Sequence, residues 1–301
     1  MDVEIVKSDG KKYRLSDYGI VQDFVVNSID RTVARESIDG RSGSVDYGVS
    51  KGDRTIAIPF IFKAEDLHDY AHLRDELYGI LDDDEPFYIR EMRRKEYLQY
   101  EFVDFGYAPR WGTGVDNEYV NGKQYKVRMD GSVSPEQWDD KPNGDITIEF
   151  VTSGLPFAES IYTTLELHDS GYAHSAEKYG LVDNIDDEKV KYRFTESNFT
   201  VYNAGNVTVE PESMFLHIFV ASTTGDSITI ENNTTGETFT LNRNMSARHI
   251  QVNGMVVTDG TAQVFRNTNK RFISLAPGDN SISVTGATFN EIRFNFKYYY
   301  K

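Results

Sequence analysis

Arg54-Thr55-Ile56-Ala57-Ile58-Pro59-Phe60-Ile61-Phe62 decides the reading of the first half of the chain. β-Branched and aromatic residues dominate it, which favours a strand. Pro59 has no amide hydrogen to give to a ladder, so the strand is expected at a sheet edge or at a bulge. Directly after it, Leu67, Tyr70, Leu73, Leu77, Ile80 and Leu81 recur at intervals of three and four. They share one helical face and predict one helix from about Ala64 to Asp82. Glu65 and Asp66 would occupy its first turn, where the helix dipole favours acid. Asp82-Asp83-Asp84-Glu85-Pro86 ends it, because proline cannot continue a helix and acid is unfavourable at the C-terminal end.

Working outward, Val3–Val6 reads as a strand, followed by a tight turn at Ser8-Asp9-Gly10-Lys11. Val21–Val26 reads as another strand. Asp39–Gly52 carries Gly40, Gly43, Gly48 and Gly52 and is expected to be a long loop. Beyond the helix, Phe87-Tyr88-Ile89 and Tyr97–Phe105 predict a hairpin with Arg93-Arg94-Lys95 at its tip. Tyr125–Met129 and Ile146–Val151 add two strands around a Ser134–Gly144 loop.

From Tyr192 onward no helix is predicted, and strand-length runs alternate with turns. Ser227–Glu231 and Glu237–Leu241 flank Asn232-Asn233-Thr234-Thr235-Gly236 as a hairpin. Met214–Val220 is apolar at both parities, which predicts a central strand buried on both faces. Phe272–Leu275 and Ser281–Val284 flank a turn at Ala276–Asn280, and Ile292–Tyr299 supplies a last strand. The expected class is mainly β: an N-terminal β-sandwich-like domain with one helix and a protruding hairpin, then an antiparallel β-sandwich or jelly roll. Ser153-Gly154-Leu155-Pro156 punctuates the change in composition, so the expected domains are 1–154 and 155–301.

The 301 residues include 19 Tyr and 18 Phe, enough for two ordinary cores. There is no cysteine, which removes disulfides, thiolate nucleophiles and thiolate metal sites. The formal net charge is −16. Residues 1–150 carry 20 Lys and Arg against 31 Asp and Glu, a net of −11, and residues 151–301 carry 12 against 17, a net of −5. Binding nucleic acid by neutralising phosphates needs a basic footprint, so that class is disfavoured. Met1-Asp2-Val3-Glu4 carries acid where a secretory signal carries base, and no apolar run approaches a membrane span. The expectation is a protein made in the cytosol.

Candidate chemistry is sparse. His68 and His72 sit at i and i+4, the spacing of a zinc-gripping helix, but no third ligand follows and Asp69 stands where a general-base Glu would be. Gly40-Arg41-Ser42-Gly43-Ser44 lacks the spacing of a nucleophile elbow, and Gly112-Thr113-Gly114 lacks a third glycine and a following helix. Asp183, Asp186, Asp187 and Glu188 lack the spacing of a calcium loop. Both tryptophans, Trp111 and Trp138, lie in the first half, leaving the second without an obvious sugar-stacking residue. No catalytic, cofactor-binding or metal residue is assigned, no cofactor is expected, and the chain is not expected to be an enzyme.

What carries information is the order of motifs: short strands, a glycine-rich loop, the strand 54–62, the helix, Glu85-Pro86-Phe87-Tyr88-Ile89, a hairpin, and Gly154-Leu155-Pro156-Phe157-Ala158-Glu159-Ser160. In the second half it continues with Val201-Tyr202-Asn203-Ala204-Gly205-Asn206, Asn233-Thr234-Thr235-Gly236 and Phe272-Ile273-Ser274-Leu275-Ala276-Pro277-Gly278-Asp279-Asn280. This order resembles the siphophage distal tail protein family across nearly the whole chain. The resemblance implies a structural baseplate protein forming a homo-hexameric ring at the end of the tail tube. Its second domain would be galectin-like or carbohydrate-module-like, and its partners the tail tube protein, a tail-tip or tail-associated protein and a receptor-binding or upper baseplate protein. DNA would pass through without sticking. The expected location is the virion tail tip, with assembly in the host cytoplasm and no membrane contact. Arg93, Arg94 and Lys95, a basic cluster in an acidic half, are expected to meet acid on a neighbouring subunit. The alternatives are another tail-tip or baseplate accessory protein, a carbohydrate-binding adhesin module, and a metal hydrolase built on His68 and His72.

Overall fold

The computed structural model describes residues 1–94, 118–120, 122–171, 180 and 182–301. It is mainly β, with antiparallel pairing throughout the described strands, and divides into two compact units, Met1–Phe157 and Ala158–Lys301.

The first unit runs β1 (Asp2–Val6), β2 (Lys12–Arg14), β3 (Gly19–Val21), β4 (Val25–Val26), β5 (Arg31–Ser37), β6 (Ser44–Lys51), β7 (Thr55–Lys63) and α1 (Tyr70–Leu81). It continues with β8 (Phe87–Arg94), β9 (Glu118–Val120), β10 (Lys123–Met129), β11 (Glu136–Gln137) and β12 (Asn143–Thr152). Its main sheet has the order β2-β1-β8-β10-β12-β7-β3. Strict alternation along β7 and β12 buries Ile56, Ile58, Phe60 and Phe62 beside Ile146, Ile148 and Phe150. α1 closes this core with Tyr70, Leu77, Ile80 and Leu81, and Tyr70 meets Phe62 edge-on at 5.0 Å between ring centroids. Each such fully buried side chain contributes roughly 1.5–3 kcal/mol of transfer free energy.

Five expectations for this unit change. Val21–Val26 is not one strand: β3 ends at Val21 and β4 holds only Val25 and Val26, with Gln22–Phe24 between them. β7 is interior, pairing with β12 on one side and with β3 and β4 on the other. Pro59 is tolerated because its neighbour breaks opposite it. In an antiparallel strand a residue's nitrogen and carbonyl point the same way. The Pro59 carbonyl accepts from Gln22 N at 2.9 Å, so the missing donor faces the gap between β3 and β4. Gly19 lets β3 come close, since a Cβ there would lie 2.0 Å from Ile61 O.

The helix starts at Tyr70, not Ala64. Asp66 Oδ1 accepts from the amides of His68 and Asp69, both at 2.8 Å, and holds a turn instead. Short polar side chains compete with the helix in this way, and Leu67 is left exposed. The glycine-rich stretch is not a loop: β6 pairs with β5 from Arg31↔Lys51 to Ser37↔Ser44, with a bulge after Ala34. The glycines supply the bulge and the turn, with Gly40, Gly43 and Gly48 all at positive φ. Finally, β8 continues through Arg93 and Arg94 and pairs with Glu118–Val120 and with β10. The basic run therefore begins inside a strand and not at a tight turn. Lys95 and Tyr97–Phe105 lie outside the described residues.

The second unit runs β13 (Ala158–Ser160), α2 (Thr164–Ser170), β14 (Arg193–Phe194), β15 (Asn198–Asn203), β16 (Leu216–Asn232), β17 (Glu237–Asn253) and β18 (Val256–Asp259). It ends with β19 (Ala262–Gln263), β20 (Gly278–Thr288), β21 (Glu291–Phe296) and β22 (Tyr299–Tyr300). β16 and β17 pair along their length, with irregular register between Val220 and Ser227. The irregularity bends the ribbon, and β16 pairs with β21 on one half and with β20 on the other. Leu216, Ile218 and Val252 from one half and Phe239 from the other line a single gap of about 10 Å³, so the halves share one core.

β16 buries alternate residues here, so Met214–Val220 is not buried on both faces as expected. Phe215 is exposed, and Phe219 stacks beside His249 at 5.7 Å. Phe272–Leu275 is held by one bridge, Val209↔Leu275, in place of a strand. α2 was not expected, although Thr163 and Glu166 form a capping box, a T-x-x-E signal legible in the sequence. Tyr298, Tyr299 and Tyr300 are all buried.

Candidate interaction surfaces

His68 lies in the turn before α1 and His72 within it; both are exposed, and their rings stand 6.0 Å apart. Among the described residues no three His, Cys, Asp or Glu gather as a metal site. Asp186 caps a single 3-10 turn through Glu188 N at 3.1 Å, and the Asp183 carbonyl accepts from the Tyr300 hydroxyl at 2.9 Å. Gly40–Ser44 is the exposed end of the β5–β6 hairpin, and Gly112–Gly114 lies outside the described residues. No described helix is long and apolar enough to cross a membrane.

One buried polar cluster of the second unit is satisfied internally. Asn280 Nδ2 donates to the carbonyls of Ala276 and Gly278 at 2.8 and 3.1 Å, while its Oδ1 accepts from Asn232 Nδ2 and Ala276 N at 3.0 and 2.9 Å. Burial drives the Tyr298 and Tyr192 hydroxyls well above their ordinary range, and their oxygens lie 2.5 Å apart. Burial likewise pushes Tyr299 up to about 12. These hydroxyls stay neutral and act as fixed hydrogen-bonding groups. Glu237 is pulled two ways: burial opposes its charge, but hydrogen bonds from Ser274 N, Ser274 Oγ and Thr235 hold its carboxyl below the usual range.

What remains unexplained inside one chain is the β5–β6 hairpin. It forms a sheet of its own. Val33 faces Val49 across it, with exposures of 38% and 55%, and Tyr47 at its bulge is 62% exposed. A two-stranded ribbon is only marginally stable alone, and open strand edges invite pairing. Residues 31–51 hold four Lys and Arg against three Asp and Glu, a near-neutral patch in a strongly acidic half. The ribbon is therefore suited to being covered by protein. Sequence reading missed it because its glycines outweighed the alternation of Val33 with Thr32 and Ala34, and of Val45, Tyr47 and Val49 with Asp46 and Gly48.

Of the basic run, the structure describes the side chain of Arg93 only. Arg93 Nε donates to Glu91, and its Nη2 lies 3.6 Å from Asp23 Oδ1, with both side chains more than half exposed. Its acid partners here are thus within its own unit. The side chain of Arg94, like all of Lys95, lies outside the described residues.

Residues 8–152 match the model of the phage tail protein RIFT-related domain. No curated protein matches the chain significantly. Among solved structures, the Dit protein of phage SPP1, described as a paradigm of the hub adsorption apparatus in phages infecting Gram-positive bacteria, superposes with a TM-score of 0.63. Its identity is 15%, over 98% of this chain and 99% of that one. The phage P2 baseplate in its activated conformation with calcium gives 0.42 at 10% identity, over 99% of this chain and 97% of that one. Residues 8–152 thus resemble the phage tail protein RIFT-related domain, and the chain along its length shares the fold of the SPP1 Dit protein.

Proposed function

We propose that this protein is a structural subunit of a phage tail tip, forming a hexameric hub ring that joins the tail tube to tail-tip and receptor-binding parts. The observation that carries the reading is the pairing of a phage tail domain at 8–152 with a second β unit, in the arrangement of residues found along the full SPP1 hub protein. The first unit, expected to be bounded near Gly154, closes the ring; the second points outward as a platform. The ring contact is heterologous, head to tail, so each subunit gives one surface and receives another. The near-neutral β5–β6 ribbon is the giving surface, with Arg93, Arg94 and Lys95 meeting acid on the receiving one. Acid lining the lumen lets DNA pass without sticking, since like charge keeps phosphate from settling. The protein works in the virion after assembly in the host cytoplasm.

The test is the mass and symmetry of the full chain, alone and with its tail tube protein, by light scattering and negative-stain imaging. A sixfold ring supports the reading. A monomer that stays monomeric with the tube protein present overturns it, and intact rings from an Arg93→Glu, Arg94→Glu, Lys95→Glu variant overturn the role of the basic run.

A further inference from the structure

The second unit carries a surface that its own fold leaves unused. Met255 and Val256, at the turn between β17 and β18, are 48% and 50% exposed. With Val257, Gln263 and Phe265 they line an open groove of about 210 Å³. The groove has a rigid floor. Phe265 stacks on Phe272 at 6.2 Å and 13°, and Phe272 continues to Phe239 at 5.9 Å and 26°. Thr268 caps the loop, donating its hydroxyl to Phe265 O at 2.7 Å and accepting from Lys270 N at 3.1 Å. Asn269 ties the same loop to β17 by donating to Thr238 O at 2.8 Å.

Charge is distributed unevenly around it. Residues 240–275 hold Arg243, Arg248, Arg266, Lys270 and Arg271 against a single acid, Asp259, in a chain of net charge −16. Asp259 is buried and takes Arg243 at 3.0 Å. Arg248, Arg266, Lys270 and Arg271 are exposed, and among the described residues none has an acid within ion-pair distance. Three of these four lie on the loop that builds the Phe265 side of the groove. Elsewhere in the unit, Lys189 pairs with Asp279 and Arg193 with Asp169.

An apolar slot with a rigid aromatic wall takes an apolar side chain, and unpaired bases beside it select carboxylates. We infer that this groove is the docking site for an acidic segment of another tail-tip protein, which seats an apolar side chain between Met255, Val256 and Phe265 and sets its carboxylates against Arg266, Lys270 and Arg271. The inference deepens the reading of the second unit as an outward platform and rests on it. The occupant is a protein segment and not a sugar: the slot is apolar, and the described side chains lining it offer one amide, Gln263, as a directional polar partner.

The probe is a fluorescent twelve-residue peptide alternating Leu and Glu, titrated by anisotropy into the full chain at low salt. Comparison peptides alternate Leu with Lys and Ser with Glu, and polygalacturonate serves as an acidic sugar polymer. Binding of the Leu/Glu peptide that weakens about tenfold or more in Val256→Asp, again in a Lys270→Glu, Arg271→Glu variant, and with rising salt supports the inference. Equal binding of the Leu/Lys or Ser/Glu peptide, equal binding of polygalacturonate, or binding indifferent to these substitutions overturns it. Ring mass is measured on the same variants. Rings unchanged while peptide binding is lost separate this surface from ring closure. Rings lost in Val256→Asp would mean that a second copy fills the groove, which also overturns the inference. Absence of rings in the unsubstituted chain with its tube protein counts against the hub reading independently of the peptide result.

Discussion

Arg90 Nη1 lies 2.7 Å from Glu4 Oε2, joining β8 to β1 through two side chains that are each only 10% exposed. The rest of the guanidinium is occupied by Gln124, whose Oε1 accepts from Nε and Nη2 at 3.0 and 2.8 Å. A buried charge left without its partner is far costlier than an apolar replacement of the whole pair. Arg90→Met leaves Glu4 with only the more exposed Lys12, 3.3 Å from Oε1, so it should destabilise the protein by about 2 kcal/mol, and adding Glu4→Met should recover part of that loss. Urea denaturation of the single and double variants measures both. Strictly additive losses would show that the two groups act separately.

Asn280 is expected to be nearly as sensitive, because its amide ties Ala276 and Gly278 to Asn232 in one buried cluster. Asn280→Ala leaves several buried polar groups unpaired, each worth roughly 1–3 kcal/mol. A loss above about 2 kcal/mol in chemical denaturation is the expected outcome, whereas a loss near zero would mean that solvent replaces the amide freely.

Pro59→Val tests why proline stands inside a sheet. If its nitrogen faces the gap between β3 and β4, restoring the amide hydrogen neither makes nor breaks a ladder bond. Stability should stay within about 1 kcal/mol, the scale of proline's effect on the unfolded chain. A much larger change in either direction would place the nitrogen against a partner strand.

Glu237 gives a pH signature. Its folded carboxyl titrates below the ordinary value, so its contribution is complete above the unfolded value, about pH 4 to 5, and fades as the pH falls through the lowered one. Wild type should exceed Glu237→Gln in stability by a constant margin near neutrality, with the margin narrowing toward pH 3. Thermal melts across that range report it, and a margin that widens in acid would mean that the folded carboxyl titrates above its unfolded value.

On the β5–β6 ribbon, Val49→Asp changes an exposed position, so folding stability should move by about 0.5 kcal/mol or less. Assembly should suffer much more, because the charge would be buried against a neighbour. Loss of rings with an unchanged melting temperature is expected; rings that persist would remove the ribbon from the interface.

The legible parts of this fold were those in which local preference and tertiary packing agree. Ile56, Ile58, Phe60 and Phe62 announced β7 because alternation and burial coincide, and Leu77, Ile80 and Leu81 announced α1 in the same way. Misreadings arose where one residue has two uses. Gly48 marks loops, yet here it supplies the positive φ of a bulge within a ribbon. Pro59 marks edges, yet it needs only a gap opposite its nitrogen, and that gap is made by Gln22–Phe24, far away in sequence. Asp66 looked like a helix-dipole residue but closes a turn on His68 and Asp69. Interaction surfaces were harder still: Val33, Tyr47, Val49 and Val256 look like core residues until the fold leaves them uncovered.

The break opposite Pro59 also releases Asp23 from the ladder, and Asp23 is, with Glu91, one of two carboxylates that face Arg93. A neighbour that recruits Arg93 would therefore take it from an existing partner, one exposed pairing exchanged for another. Such a swap is close to balanced, so the contact would contribute orientation more than adhesion. It would fix the direction in which successive subunits follow one another, leaving apolar contacts to hold them together.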